Sequence, residues 1–186
     1  MTLNNTHDDW WKQAVVYQVY PRSFRDANGD GLGDIAGITS RIPYLRQLGV
    51  DALWLSPFYP SELADGGYDV IDYRNVDPRL GTLDDFDAMV AAAHSAGLKV
   101  VVDIVPNHTS NMHPWFQEAL ASAPGSPARD RYIFRDGEGA HGAGSDLMVL
   151  LGRDAVEEVV DFDNRFVQRA FTEVAELMIL DTDSVR

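Results

Sequence analysis

Three apolar runs punctuate the chain, "AVVYQVY" at 14–20, "VDALWLSP" at 50–57 and "LKVVVDIV" at 98–105. They are short and rich in β-branched and aromatic residues, which predicts buried strands. The second is continuously apolar, as a strand covered on both faces should be. Helical spacing appears between the runs. From about Gly37 to Leu48, residues Ile38, Ile42, Leu45 and Leu48 share one face, and Gly49 stops the helix. Pro43 within it predicts an irregular first turn. Thr82 heads a second helix with Asp85 in capping-box relation, Phe86, Met89, Val90 and Ala93 forming its buried stripe and Gly97 closing it. Strand and helix alternate, which predicts a parallel sheet covered by helices. Beyond Gly137 the pattern weakens. "LMVLL" at 147–151 reads equally as strand or buried helical turn, and 164–180 reads as helix with Val167, Ala170, Phe171, Val174, Leu177 and Met178 at helical spacing.

Composition narrows the class of partner. The 186 residues are 45% apolar, enough for a well-buried globular domain. A net charge of −14 disfavours nucleic acid and anionic membranes, which attract basic patches, but allows a neutral substrate. Cysteine is absent, so disulfides and thiolate chemistry are excluded. The N-terminus lacks the basic and apolar regions of a signal peptide, and no apolar run approaches the ~20 residues of a membrane helix. The expectation is a soluble cytoplasmic protein.

The stretch "DANGDGLGD" at 26–34 follows the first predicted strand. Asn-Gly and the glycines alone suit a polar turn. The spacing shifts the reading, because an EF-hand-type loop takes oxygens from alternate positions, with a backbone carbonyl at seven and Gly at six. Counting from Asp26 gives Asp26, Asn28, Asp30, the carbonyl of Leu32 and Asp34, with Gly31 at position six. Position twelve is Gly37, so the closing Glu of an EF-hand is missing. The pattern therefore predicts a hard-cation loop, for Ca2+ or Mg2+, without a calcium-sensing helix pair.

Ligands of parallel α/β proteins sit at the carboxyl ends of the strands. The three loops there are all polar: the metal-type loop, "SPFYPSELADGGYDVIDY", and "DIVPNHTS" with Asp103, Asn107 and His108. Carboxylates accept paired hydrogen bonds from vicinal hydroxyls, and an aromatic ring covers the C–H face of a sugar, so the combination suits a hydroxyl-rich ligand. Singly, each residue has an ordinary structural reading. Asp103 could cap a loop or pair with a buried Arg, His108 could be a hydrogen-bonded structural residue, and Tyr68 could be packing. Trp10 and Trp11 read as core or N-terminal staples.

"VVYQVYPRSFRDANGDGLGDIAGI", "GVDALWLSPFYPS", "GGYDVIDYRNVDPRLGT" and "GLKVVVDIVPNHTSNMHPWF" together resemble the α-amylase superfamily of retaining glycoside hydrolases, nearest its α-glucosidase branch. The resemblance runs from about Trp10 to Asp136 and implies the first three to four βα units of a partial TIM (β/α)8-type barrel. It implies that Asp26, Asn28, Asp30, Leu32 and Asp34 form a structural Ca2+ or Mg2+ site. Asp65 and Tyr68 match residues that hold the hydroxyls and stack on the ring of a terminal glucose. His108 matches a histidine bonded to that glucose's primary hydroxyl, and Asp103 and Asn107 match positions bracing the active-site floor. The implied partner is an α-glucoside or a short malto- or isomalto-oligosaccharide.

The chain departs from the family's pattern in its last third. Residues 1–136 read as the N-terminal part of the catalytic barrel, 137–146 as a Gly-rich linker replacing most of a subdomain, and 147–186 as a degenerate continuation ending near barrel strand four. The family's Gly-x-Arg-x-Asp is replaced by "MILDTDSVR". Asp183 is the weak nucleophile candidate, with Asp181 where the Arg should stand. Retaining glycosidases use two carboxyls about 5–5.5 Å apart, and no convincing pair is legible. The expectation is a truncated, weakly active or inactive form that self-associates through uncovered barrel edges. The alternatives are a sucrose- or trehalose-type transglucosylase or isomerase of the same superfamily, and a non-catalytic metal- and sugar-binding module.

Overall fold

The computed structural model describes residues 7–134; the expectations for 137–186, including Asp183, lie outside the described residues. A 3-10 turn (His7–Lys12) leads into strand β1 (Val16–Val19). The order continues α1 (Pro21–Phe24), α2 (Ile35–Leu48), β2 (Ala52–Leu55), α3 (Leu83–Ser95), β3 (Lys99–Val102), α4 (Pro114–Ala121) and α5 (Pro127–Asp130). The three strands form one parallel sheet in the order β1-β2-β3, as the alternation predicted. In its register Val19, Leu55 and Val102 stand in one row, and Gln18, Trp54 and Val101 in the next. Strand alternation sends these rows to opposite faces.

One face is the core. Val19, Leu53, Leu55, Val100 and Val102 share it with Ile35, Ile38, Ile42 and Leu45 of α2 and with Phe86, Met89, Val90 and Ala93 of α3. Phe58 stacks on Phe86 with ring centroids 4.9 Å apart. The opposite face is only partly covered among the described residues, Ala52 being buried on it but Val16 and Trp54 exposed, which corrects the readings of 14–20 as a buried strand and of 50–57 as a strand covered on both faces. Val16 is 45% exposed, and Val15, just before the strand, is 56% exposed. The three strands are buried most completely on the face that α2 and α3 cover.

Helix α2 begins two residues earlier than predicted because Asp34 caps it, its carboxylate accepting from the Gly37 N–H. Pro43 sits inside the helix without ending it, so the predicted irregular first turn is not seen. Leu48, expected on the buried face, is 52% exposed, since the stripe closes at Leu45 before the left-handed cap at Gly49. Gly37 is obligatory for a steric reason: a Cβ there would collide with the carbonyl oxygen of Arg25. The Thr82–Asp85 capping box is present in both directions. Helix α4, not predicted, starts at Pro114 behind a histidine cap, His113 accepting from the Trp115 N–H. Trp11 is exposed, so it is no core residue.

Candidate sugar-binding rim and metal-type loop

The carboxyl ends of the strands converge on Asp103, the residue after β3. Trp54 Nε1 donates to one carboxylate oxygen at 2.6 Å and the Tyr68 hydroxyl to the other at 2.8 Å. The Tyr59 hydroxyl donates to the Asp103 carbonyl at 3.0 Å and fixes its main chain. Among the described residues Asp103 pairs with aromatic donors, so the alternative of a buried arginine partner fails. Gln18 bonds Ser56 at the ends of β1 and β2, and the Tyr20 hydroxyl donates to the Gly66 carbonyl, tying β1 to the Tyr68 loop. Burial raises the Tyr68 phenol pKa, and the hydrogen bond and charge of Asp103 raise it further. The phenol therefore stays a donor near neutral pH.

The loop carrying Asp65 and Tyr68 is held from below by Asp69. Its carboxylate accepts from the Ser61 hydroxyl at 2.6 Å and from the N–H groups of Ala64 and Asp65. Burial alone would raise the Asp69 pKa, but these donors outweigh it and hold the carboxyl below its ordinary value. Leu63 adopts φ +64, a conformation uncommon for a side-chain-bearing residue, with its N–H on the Ser61 hydroxyl. Asp65 is exposed beside Tyr68 and free to meet a ligand with its carboxylate.

Of the remaining expected residues, His108 is half-buried. Its carbonyl accepts from the Tyr73 hydroxyl at 2.6 Å, while its Nδ1 is buried with no hydrogen-bond partner among the described residues. Asn107 is exposed on the same loop. Sequence reasoning missed Trp54, Tyr59, Ser61 and Asp69. Trp54 lay hidden inside an apolar run, where nothing distinguishes a donor from core filler.

The metal-type loop closes on itself. Asp26 accepts from the N–H groups of Gly29 and Gly31, Asn28 from that of Asp30, and Asp30 from that of Leu32. The Gly31 N–H leads these bonds in lowering the Asp26 pKa, so the carboxylate is ionised at neutral pH. Gly31 holds φ +91, which its position in the tight wrap requires. Asp34 spans the loop's exit, accepting from Ala27 and Gly37. Among the described residues no three His, Cys, Asp or Glu side chains cluster as a metal group. The donor chemistry nonetheless suits a hard cation, because a carboxylate offers about four lone-pair sites and these backbone bonds use only part of them.

Below both regions lies a buried ionic tie. Asp77, 1% exposed at its side chain, accepts from Arg22 and from Arg79, each at 2.6 Å. Burial would raise its pKa, but the bonds from Arg79 and Arg22 prevail and hold it at about 2. Arg79 also donates to the Ser61 carbonyl, at the base of the Tyr68 loop.

A parallel sheet with helices on one face and polar loops at the strand ends is the arrangement of a partial (β/α)-barrel. The alpha-amylase catalytic-domain family model matches residues 18–157, and the chain belongs to that family. It is 52% identical to a probable alpha-glucosidase of Rhizobium meliloti, covering 73% of this chain and 26% of that protein. It is 54% identical to an oligo-1,6-glucosidase of Parageobacillus thermoglucosidasius, covering 69% and 23%. Among solved structures, a trehalulose synthase in complex with Tris superposes with TM-score 0.67 at 50% identity, covering 71% of this chain and 24% of that one. The chain thus spans about a quarter of the length of the relatives it matches. The described residues are the opening three βα units of a barrel of this family. No described helix is long and apolar enough to cross a membrane.

Proposed function

We propose that this chain carries the glucosyl-gripping portion of an α-glucosidase-type glycoside hydrolase, acting on α-glucosides or short malto- or isomalto-oligosaccharides. The single observation that supports it most is the Asp103 carboxylate held between Trp54 and Tyr68 at the strand ends. Each Asp103 oxygen already takes a protein donor and keeps lone-pair capacity for a sugar hydroxyl. That suits a residue that holds and orients. Tyr68 offers a ring for the C–H face of a pyranose, and Asp65 an exposed carboxylate for its hydroxyls. His108, half-buried on the loop after β3, would offer its ring to the sugar's primary hydroxyl. The nucleophile would come from elsewhere in the chain, with Asp183 the candidate named above. An oligo-1,6-glucosidase among the relatives favours hydrolysis. A trehalulose synthase variant solved with its substrate sucrose, and an isomaltulose synthase from Klebsiella, favour the isomerase reading as the alternative.

The test is calorimetric titration with methyl α-D-glucoside, alongside release of p-nitrophenol from its α-glucoside and product analysis with sucrose. Saturable 1:1 binding that Asp65→Ala weakens at least tenfold supports the grip. Turnover by the purified chain, lost in Asp183→Asn, would add catalysis to it; rearranged sucrose would favour the isomerase. No uptake of the sugar at millimolar concentration contradicts the proposal.

We infer further that Asp26, Asn28, Asp30, the Leu32 carbonyl and Asp34 would hold a structural Ca2+ or Mg2+. Such an ion would supply charge compensation for the three neighbouring carboxyl groups and stiffen the entry to α2. A cation bound only by the native state at ~100 times its Kd stabilises by about 2.7 kcal/mol. The melting temperature should rise with added metal and fall with chelator, and Asp30→Ala should abolish the response. A chelator-blind melt would make the loop a self-closed turn.

A further inference from the structure

Trp54 would ordinarily pass as filler in an apolar strand, yet it lies on the partly covered face of β2, 36% exposed. It pairs in register with Val101, so Asp103, two residues on, lies on the same side of the sheet. The indole N–H is committed to a carboxylate rather than to a backbone carbonyl. Asp103 in turn is the acceptor for Tyr68. Both oxygens are thereby fixed by donors 49 and 35 residues away in the chain.

We propose that Trp54 is a positioning residue for glycosyl recognition: its indole N–H fixes the Asp103 carboxylate and, through it, the Tyr68 hydroxyl. Without that donor the carboxylate rotates about its side-chain torsion, and the Tyr68 ring loses the partner that sets its plane. A ligand would then have to order both groups on binding, which costs affinity, whereas the indole orders them in advance. The Tyr59 bond to the Asp103 carbonyl holds the main chain and leaves this rotation to Trp54. The proposal rests on the glucosyl reading above and names one more determinant of it.

Trp54→Phe keeps an aromatic ring on the strand and deletes the donor. It should weaken binding of methyl α-D-glucoside about five- to tenfold with little change in melting temperature. Combined with Tyr68→Phe, the loss should fall well short of the product of the two single losses, because both act through Asp103. Independently of sugar, the indole N–H resonance that disappears in Trp54→Phe should move upfield in Asp103→Asn, since a neutral amide oxygen is a weaker acceptor than a carboxylate. Unchanged affinity in Trp54→Phe, multiplicative losses in the double variant, or an indole resonance indifferent to Asp103→Asn would each overturn the proposal. Failure of the unsubstituted chain to take up the sugar overturns it together with the glucosyl reading. The indole response then tells whether the contact itself had been wrongly assigned.

Discussion

The loop at 26–34 and the rim around Asp103 are both acidic and both follow parallel strands, but they are held in opposite ways. Every side-chain bond within or closing the first joins residues no more than seven apart. Asp69 braces the Tyr68 loop of the second locally, but the bonds that join its strands and loops to one another link residues 35 to 49 apart. A locally closed loop needs little beyond its own sequence, whereas the rim exists only once three strands are in register. The loop is thus suited to a constant structural duty and the rim to recognition, where geometry must be imposed by the fold.

Asp77 joins the two regions, through Arg22 on the side of the loop and Arg79 on the side of the rim. Asp77→Ala should therefore disturb both at once and has the largest expected effect. Leaving the buried Arg22 guanidinium uncompensated costs about 3–5 kcal/mol, readable by urea denaturation. The folded pKa of about 2 lies below the ordinary 3.8 of an aspartate. The carboxylate's contribution is therefore complete above about pH 4 and is lost as pH falls toward 2. A variant of unchanged stability would show the two regions to be independent.

His113 should separate them by pH. It lies beside the Tyr73 ring and caps α4 at the far end of the rim. Burial lowers its pKa from 6.5 to about 4, partly opposed by Asp72 and assisted by Arg131. The unfolded chain binds this proton first, so stability is full above about pH 6.5 and declines as pH falls toward 4, by a few kcal/mol in order of magnitude. His113→Asn retains a capping side chain and should flatten the melting profile across that window. A profile identical to the unsubstituted protein's would assign the acid sensitivity elsewhere.

The smallest effect belongs to Thr82, whose capping box is confined to the start of α3. Thr82→Ala should cost about 1 kcal/mol of stability. It should leave sugar affinity unchanged, and a loss of affinity would show that α3 sets the rim.

This contrast also explains what could be read in advance. The capping box, the stripes at Ile38, Ile42 and Leu45 and at Phe86, Met89, Val90 and Ala93, and the parallel order follow from local periodicity, and the structure bears them out. Leu48 misled because the hydrophobic stripe continues one position past the point where the helix leaves the core. The exposed face of β1 misled because apolar content shows that a strand seeks cover, not that the described neighbours provide it. Asp103, Tyr68 and Asp65 were legible as types at strand ends. Their connection was not, because Trp54 acts through a tertiary contact that leaves no spacing in the sequence, and Asp69, though close in sequence to its donors, stands in no recognisable capping or turn motif.

The most direct measurement is amide hydrogen exchange of the unsubstituted protein in two separate titrations, one with methyl α-D-glucoside and one with Ca2+. The sugar should slow exchange at 61–69 and 103–110 while leaving 26–34 unchanged, and the cation should do the reverse. Sugar that protects neither rim segment, or protects only 26–34, would contradict the division of labour on which the proposed function stands.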